Sequence, residues 1–174
     1  MSKHQTQGVM SMSVSKFVAV FLVVGLFVLN LKAQEVVVDV SGRPALNFKL
    51  RTDEVKGFAT QKGNDFEAKD IHVVLTNVKT GLDTRDKHTK KYLEVEKYPE
   101  AILIAAKGSG GKGTGKIKIR NIEKDIAGTY EIKDDKIEAT FSLMLSDFGI
   151  SGIKYMGVGV NNEVIVHAIL PIKK

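Results

Sequence analysis

Residues 136–145 read KIEATFSLML. Ile137, Ala139, Phe141, Leu143 and Leu145 alternate with Lys136, Glu138, Thr140, Ser142 and Met144. Successive side chains of a strand point to opposite faces, so a period of two marks a strand with one buried face. The same period recurs on both sides of this stretch. Ile117 and Ile119 alternate with Lys116, Lys118 and Arg120, and Val164, Val166, Ala168 and Leu170 with Glu163, Ile165, His167 and Ile169. Upstream, Leu46, Phe48 and Leu50 alternate with Asn47, Lys49 and Arg51, and Ile71, Val73 and Leu75 with His72, Val74 and Thr76. Residues 101–106 (AILIAA) are a continuous apolar run, the pattern of a strand covered on both faces.

Turn signals separate these runs. Residues 108–115 (GSGGKGTG) are expected to form a flexible loop between two strands. Asp134-Asp135 and Asn161-Asn162 are two-residue turn candidates, because Asn and Asp tolerate positive φ. Short strands with turns between them point to an antiparallel sandwich or barrel. One stretch departs from the pattern. Residues 84–97 (TRDKHTKKYLEVEK) are dense in charge and read as one or two helical turns, capped by Asp83 or Thr84 and ended by Tyr98-Pro99. A short helix of this kind suits the closing of a barrel end.

The N-terminal residues carry a different signal. Phe17 to Leu31 is an uncharged apolar run of 15 residues, preceded by Lys16 and followed by Lys32-Ala33. That is short for a helix crossing about 30 Å of hydrocarbon at 1.5 Å per residue. A basic residue, an apolar stretch and a small residue make the pattern of a cleavable secretory signal. Residues 1–33 are therefore expected to be removed after Ala33, leaving residues 34–174 as one domain in the periplasm or secreted. Without Lys3, Lys16 and Lys32, 23 of the 26 basic residues remain against 20 acidic ones, a formal charge of +3. Weak positive charge mixed along the chain is no nucleic-acid footprint. The absence of cysteine excludes a disulfide framework, thiolate metal sites and a lipoprotein-type anchor.

Local motifs for chemistry are sparse. Gly108-Ser109-Gly110-Gly111-Lys112-Gly113 fits GxGxxG, but a strand follows where a dinucleotide site needs a helix. His72, His88 and His167 show no metal-ligand spacing, so no metal and no cofactor is expected. Asp83, Arg85, Asp86 and His88 form the densest polar cluster. A hydrolase-type reading pairs His88 with a carboxylate as general base. Neither GxSxG nor a cysteine accompanies it, and a charged loop with a helix cap explains the same residues.

Two segments carry a family resemblance. Thr80 to His88 (TGLDTRDKH) leads through Tyr92-Leu93-Glu94-Val95 to Lys97-Tyr98-Pro99, and Ser146-Asp147-Phe148-Gly149-Ile150 is followed by Asn161-Asn162-Glu163-Val164 and a closing strand. In order and spacing this resembles the YceI-like family over nearly the whole of residues 34–174. The resemblance implies an all-β, antiparallel, lipocalin-like β-barrel of about eight strands around an elongated apolar cavity, with a short helix near residues 84–97. It implies a binding protein rather than an enzyme, holding a polyisoprenoid or other lipid-like ligand. Expected partners are that ligand and, compatibly with these features, a second copy in a homodimer, with no nucleic acid and no stable membrane anchor after signal cleavage. The expected cavity wall is Ile117, Ile119, Ile137, Phe141, Leu143, Val164, Val166 and Ala168, with Arg85, Asp86 and His88 as a polar mouth. Alternation identifies a buried face but does not tell a ligand cavity from a filled core, which would make the protein a structural or interaction module. The sequence departs from the family where Asn121-Ile122-Glu123 replaces a common Gly-Val-Thr, and where Leu145 stands at a frequent arginine.

Overall fold

The computed structural model describes residues 34–43 and 46–173. The leader, residues 1–33 with its cleavage site, lies outside the described residues. The chain runs through β1 (Glu35–Arg43), β2 (Leu46–Thr52), β3 (Val55–Lys56), β4 (Ala59–Lys62), β5 (Asp65–Val74), α1 (Asp83–Leu93), β6 (Glu100–Ser109), β7 (Lys112–Ile119), β8 (Ile122–Lys133) and β9 (Lys136–Met144). A 3-10 turn (Leu145–Phe148), β10 (Lys154–Tyr155), β11 (Val158–Val160) and β12 (Glu163–Lys173) complete it.

Strands β4, β5, β6, β7, β8, β9 and β12 pair in that order, and β12 pairs again with β4, which closes a seven-stranded barrel. The lipocalin-like expectation holds, with one difference in the sheet. β1 lies along β12 from Glu35↔Ile169 to Asp39↔Ile165, and β2 pairs with β1. β2, β3 and β4 then follow one another in a single direction while their pairing passes from β1 to β5. A strand antiparallel to β1 runs parallel to β12. Where β1 begins, β4 therefore meets the end of β12 in a short parallel pairing, Ile172↔Ala59 and Lys173↔Thr60. Every other pairing is antiparallel.

The alternation seen in the sequence sets which residues face inward, and two irregularities shift it. Phe66 and Ala68 are buried on β5, then Ile71 takes over after Asp70, whose φ of 51° is left-handed. On β6 the register with β7 shifts between Leu103 and Ala105. A bulge of this kind adds one residue and moves the inward set to the other parity. That is why the run AILIAA shows no alternation.

Two turn expectations differ from the structure. The glycine-rich segment is not a flexible loop, because Gly108 and Ser109 belong to β6, Lys112 begins β7, and only Gly110-Gly111 forms the turn. Their φ values of 56° and 79° suit a two-residue hairpin. Asn161-Asn162 is not a hairpin turn either. It joins β11 to β12, which pair in succession along β1, and the Asn161 N–H donates to the Ser41 carbonyl at 2.8 Å. Asp134-Asp135 does turn as expected, with φ of 48° and 60° between β8 and β9. Arg120-Asn121 is a further two-residue turn, with φ of 51° and 62°.

Candidate ligand cavity

The barrel is hollow. A cavity of about 290 Å³ runs inside it, lined almost entirely by apolar side chains. All eight residues expected on its wall lie on its lining: Ile117 and Ile119 from β7, Ile137, Phe141 and Leu143 from β9, and Val164, Val166 and Ala168 from β12. Leu145, at the position of the family's arginine, is on the lining too. The registers place β9 and β12 residues side by side, with Leu143 opposite Val164, Phe141 opposite Val166 and Ala139 opposite Ala168. These pairs build one continuous apolar wall.

One end of the cavity is bordered by an aromatic pair. Phe66 from β5 meets the Tyr130 ring from β8 edge to face, 5.7 Å between centroids, beside Ile137 and Leu170. Room for Tyr130 comes from a missing side chain. A Cβ on Gly108 would lie 2.6 Å from the Tyr130 ring. The adjoining wall is made of small residues, with Gly115 against Ala106 and Gly128 against Phe141.

The helix α1 contributes to the lining at the opposite end, where Leu93 packs against the cluster of Ile117, Phe148 and Ile150. It brings Arg85, His88, Thr89 and Tyr92 onto the cavity, facing Phe48, Lys154 and Tyr155. The Arg85 guanidinium lies over the Phe48 ring, 4.3 Å from its centroid, and 5.7 Å from that of Tyr155. His88 meets Tyr155 edge to face at 6.2 Å. Arg85 Nη2 donates to the Thr80 carbonyl at 2.6 Å.

Asp86, expected at the mouth, is not on the cavity lining. It is 5% exposed, and its Oδ1 accepts the Thr80 N–H and the Thr80 hydroxyl, each at 2.6 Å. Burial acts to raise its pKa, but the two Thr80 hydrogen bonds and Lys79, 3.6 Å from Oδ2, bring it below the usual 3.8. Asp86 therefore fastens the chain entering the helix. This replaces the expected cap. Leu82 occupies the N-cap position with no side-chain bond, and neither Asp83 nor Thr84 serves there. Among the described residues no carboxylate hydrogen-bonds His88, and Asp83 is exposed, so Asp83, Arg85, Asp86 and His88 do not converge on one point. His72 and His167 sit outside the cavity in pairs with Glu100, at 2.7 Å, and Asp39, at 3.2 Å. Among the described residues there is no cluster of metal-ligating side chains.

Sequence reading missed three contributions to the lining. Val36, Val38 and Val40 line the cavity from β1, but the run EVVVDV hides their alternation. Tyr130 lies on β8, whose inward residues Ile126, Gly128 and Tyr130 include a glycine and a tyrosine in place of a row of aliphatic side chains. Tyr155 lies on a two-residue strand too short to show a period.

A closed strand barrel with an apolar interior and a helix at one end is a lipocalin-like barrel. The chain belongs to the YceI-like family, whose domain model matches residues 9–170. Among solved structures, the chain is similar to BcnA of Burkholderia cenocepacia, with a TM-score of 0.62, 12% identity, and coverage of 79% of this chain and 94% of that one. It is also similar to a polyisoprenoid binding domain from Saccharophagus degradans implicated in plant cell wall breakdown, with a TM-score of 0.53, 13% identity, and coverage of 80% and 92%. At these identities the likeness is one of fold. No protein of curated function matches the sequence.

Proposed function

We propose that this protein is an exported carrier that holds the apolar chain of a polyisoprenoid or similar lipid inside its barrel, and that it is not an enzyme. The observation that carries this reading is the cavity itself, a slender apolar void of about 290 Å³ where a filled core would have packed side chains. Small-molecule pockets begin at about 300 Å³, so the void suits one slender ligand. Each methylene removed from water is worth about 0.8 kcal/mol, so ten of them supply about 8 kcal/mol before the costs of ordering the chain. Membership of the YceI-like family and the polyisoprenoid-binding relative support the ligand class. The apolar run of residues 17–31 supports export. Against catalysis, the cavity wall offers neither a paired nucleophile and base nor a metal cluster among the described residues.

Native mass spectrometry of the full-length gene product, expressed in a Gram-negative host and purified from the periplasm without detergent, tests both parts. The expected species is a chain beginning at Gln34 that carries one bound apolar molecule, released into organic solvent. A chain retaining residues 1–33 in the cytoplasm refutes export. A periplasmic species with nothing bound, which also takes up no added prenyl chain, refutes the carrier reading.

A further inference from the structure

We propose that the helix end of the barrel is a membrane-docking face, which seats on an anionic bilayer by inserting Met156, the tip of the β10–β11 hairpin, and Leu82, the residue before α1. This rests on the reading that the barrel carries a lipid chain, and it names the surface from which that chain is loaded.

Tyr155 pairs with Val158, so Met156-Gly157 is a two-residue turn, with φ of 51° and 82°. Positive φ at both positions suits Asn-Gly and strains a methionine. The other such turns of this chain use Gly110-Gly111, Arg120-Asn121 and Asp134-Asp135. Met156 is also 87% exposed, far more than any other large hydrophobic residue among the described ones. Neither the turn nor the core accounts for a methionine there. Leu82, at the N-cap position of α1, is half exposed and caps nothing. Both stand at the same rim. Tyr155, next to Met156, lies against Arg85 and His88 of α1. His88 and Lys154 are exposed and on the cavity lining, so the cavity reaches the surface beside both elements.

The charge around this rim fits an anionic surface. Helix α1 turns Arg85, His88, Thr89 and Tyr92 to the cavity and exposes Lys87 and Lys91 on its other side. Residues 79–91 hold five basic side chains and two acids, and one of those acids, Asp86, is buried against Thr80. Lys154 adds a cation on the hairpin. Among the described residues Lys87, Lys91 and Lys154 pair with no carboxylate. Lysines around an apolar tip have the composition of an interfacial anchor. The ammonium groups meet lipid phosphates while the apolar side chains enter the acyl boundary. A protein partner on this face would need a complementary area of about 800 Å², which two apolar tips among lysines do not supply. Seated on a bilayer, the mouth lets a chain pass between lipid and barrel without exposing its methylenes to water.

Vesicle co-sedimentation tests this, with vesicles of equal parts phosphatidylcholine and phosphatidylglycerol and vesicles of phosphatidylcholine alone. The purified protein is expected to bind the mixed vesicles at least about fivefold more tightly, with the preference declining as salt is added. The chain has no tryptophan, so Met156→Trp places a single reporter at the tip, and its emission is expected to shift to the blue on the mixed vesicles. Met156→Asn and Leu82→Ser separate docking from folding. Each suits its place, a positive-φ turn and a helix N-cap, and should raise the thermal midpoint. Each should nonetheless weaken vesicle binding about threefold or more and leave uptake of farnesol from solution unchanged. Lys87→Glu with Lys91→Glu should remove the preference for the mixed vesicles. Equal binding by the wild type and both stabilised variants, or no blue shift in Met156→Trp, overturns insertion at the rim. Equal binding to both kinds of vesicle overturns the anionic surface. Binding to neither, by a protein that takes up farnesol, overturns the membrane assignment in favour of a protein partner and leaves the carrier reading standing. Vesicle binding without farnesol uptake overturns the carrier reading instead.

Discussion

Asp86 shows how a residue chosen for one role serves another. In the sequence it sits between Arg85 and His88 and looks like part of a polar mouth. In the fold its carboxylate accepts two hydrogen bonds from Thr80, six residues back, and closes the loop leading into α1. Nothing in residue order distinguishes these outcomes, because both need an acid at this spacing. Asp86→Ala would leave the Thr80 N–H and hydroxyl buried without an acceptor and should cost about 2–3 kcal/mol. Asp86→Asn keeps one carbonyl oxygen and should cost less. The charge adds a pH dependence. Its folded-state pKa lies below the unfolded value, so the stabilisation is complete above about pH 4 and fades as pH falls through the folded value. Urea unfolding at pH 7 and pH 3 measures it: wild type should lose more stability between the two than Asp86→Asn does. Equal losses would mean that Asp86 contributes no charge-linked stability.

At the scale of elements, the hairpin β6–β7 and its neighbour β8 make the small-residue side of the barrel, and Tyr130 is fitted to it. Gly108 leaves the space that the Tyr130 ring fills. Gly108→Ala should therefore overpack against the Tyr130 ring and cost about 1–3 kcal/mol. In a Tyr130→Ala background the same substitution should cost far less, since the clashing ring is gone. A double-mutant cycle read by thermal unfolding should give a coupling above about 1 kcal/mol, whereas additive effects would show that Gly108 matters only through its backbone. Such fitting also marks the limit of what the sequence reveals about these elements. Strands β7 and β9 were legible because one face is aliphatic and the other largely polar, and β12 because Glu163 and His167 mark its outward face. β8 was not, because a glycine and a tyrosine stand on its inward face where aliphatic side chains would have marked the period. The glycines of residues 108–115 were read as flexibility, though three of the five stand in paired strand positions, two of them where a Cβ would clash. Composition records glycine but not the ring or backbone that requires it. The eight wall residues were legible as a buried face, yet whether that face met a ligand space or more side chains depended on the size of residues on the opposite strands.

The whole molecule joins stability to occupancy. An interior void loses on the order of 24 cal/mol per Å³ relative to a packed one, so about 290 Å³ forgoes on the order of 7 kcal/mol. That rivals the total stability of an ordinary domain, about 5–15 kcal/mol. With no disulfide available, the closed ladder of paired strands and the clusters at the two ends must hold the hollow open. A bound chain restores the missing contacts, so stability and binding should draw on the same space. Ala168 and Ala139 face each other on β12 and β9, both on the cavity lining, at a level where larger side chains have room to enter. Ala168→Leu should raise the thermal midpoint of the empty protein by filling part of the void. A prenyl ligand at about 100 times its Kd should stabilise the wild-type protein by about 2.7 kcal/mol, raising its midpoint by about 5–10 °C. In Ala168→Leu that ligand-linked rise should shrink or vanish, because the same space is already occupied. Differential scanning calorimetry of both proteins, empty and loaded, reads all four midpoints. If Ala168→Leu stabilises the empty protein yet responds to the prenyl ligand as the wild type does, the chain binds outside the barrel. If the ligand shifts neither midpoint, the void serves something other than a prenyl chain.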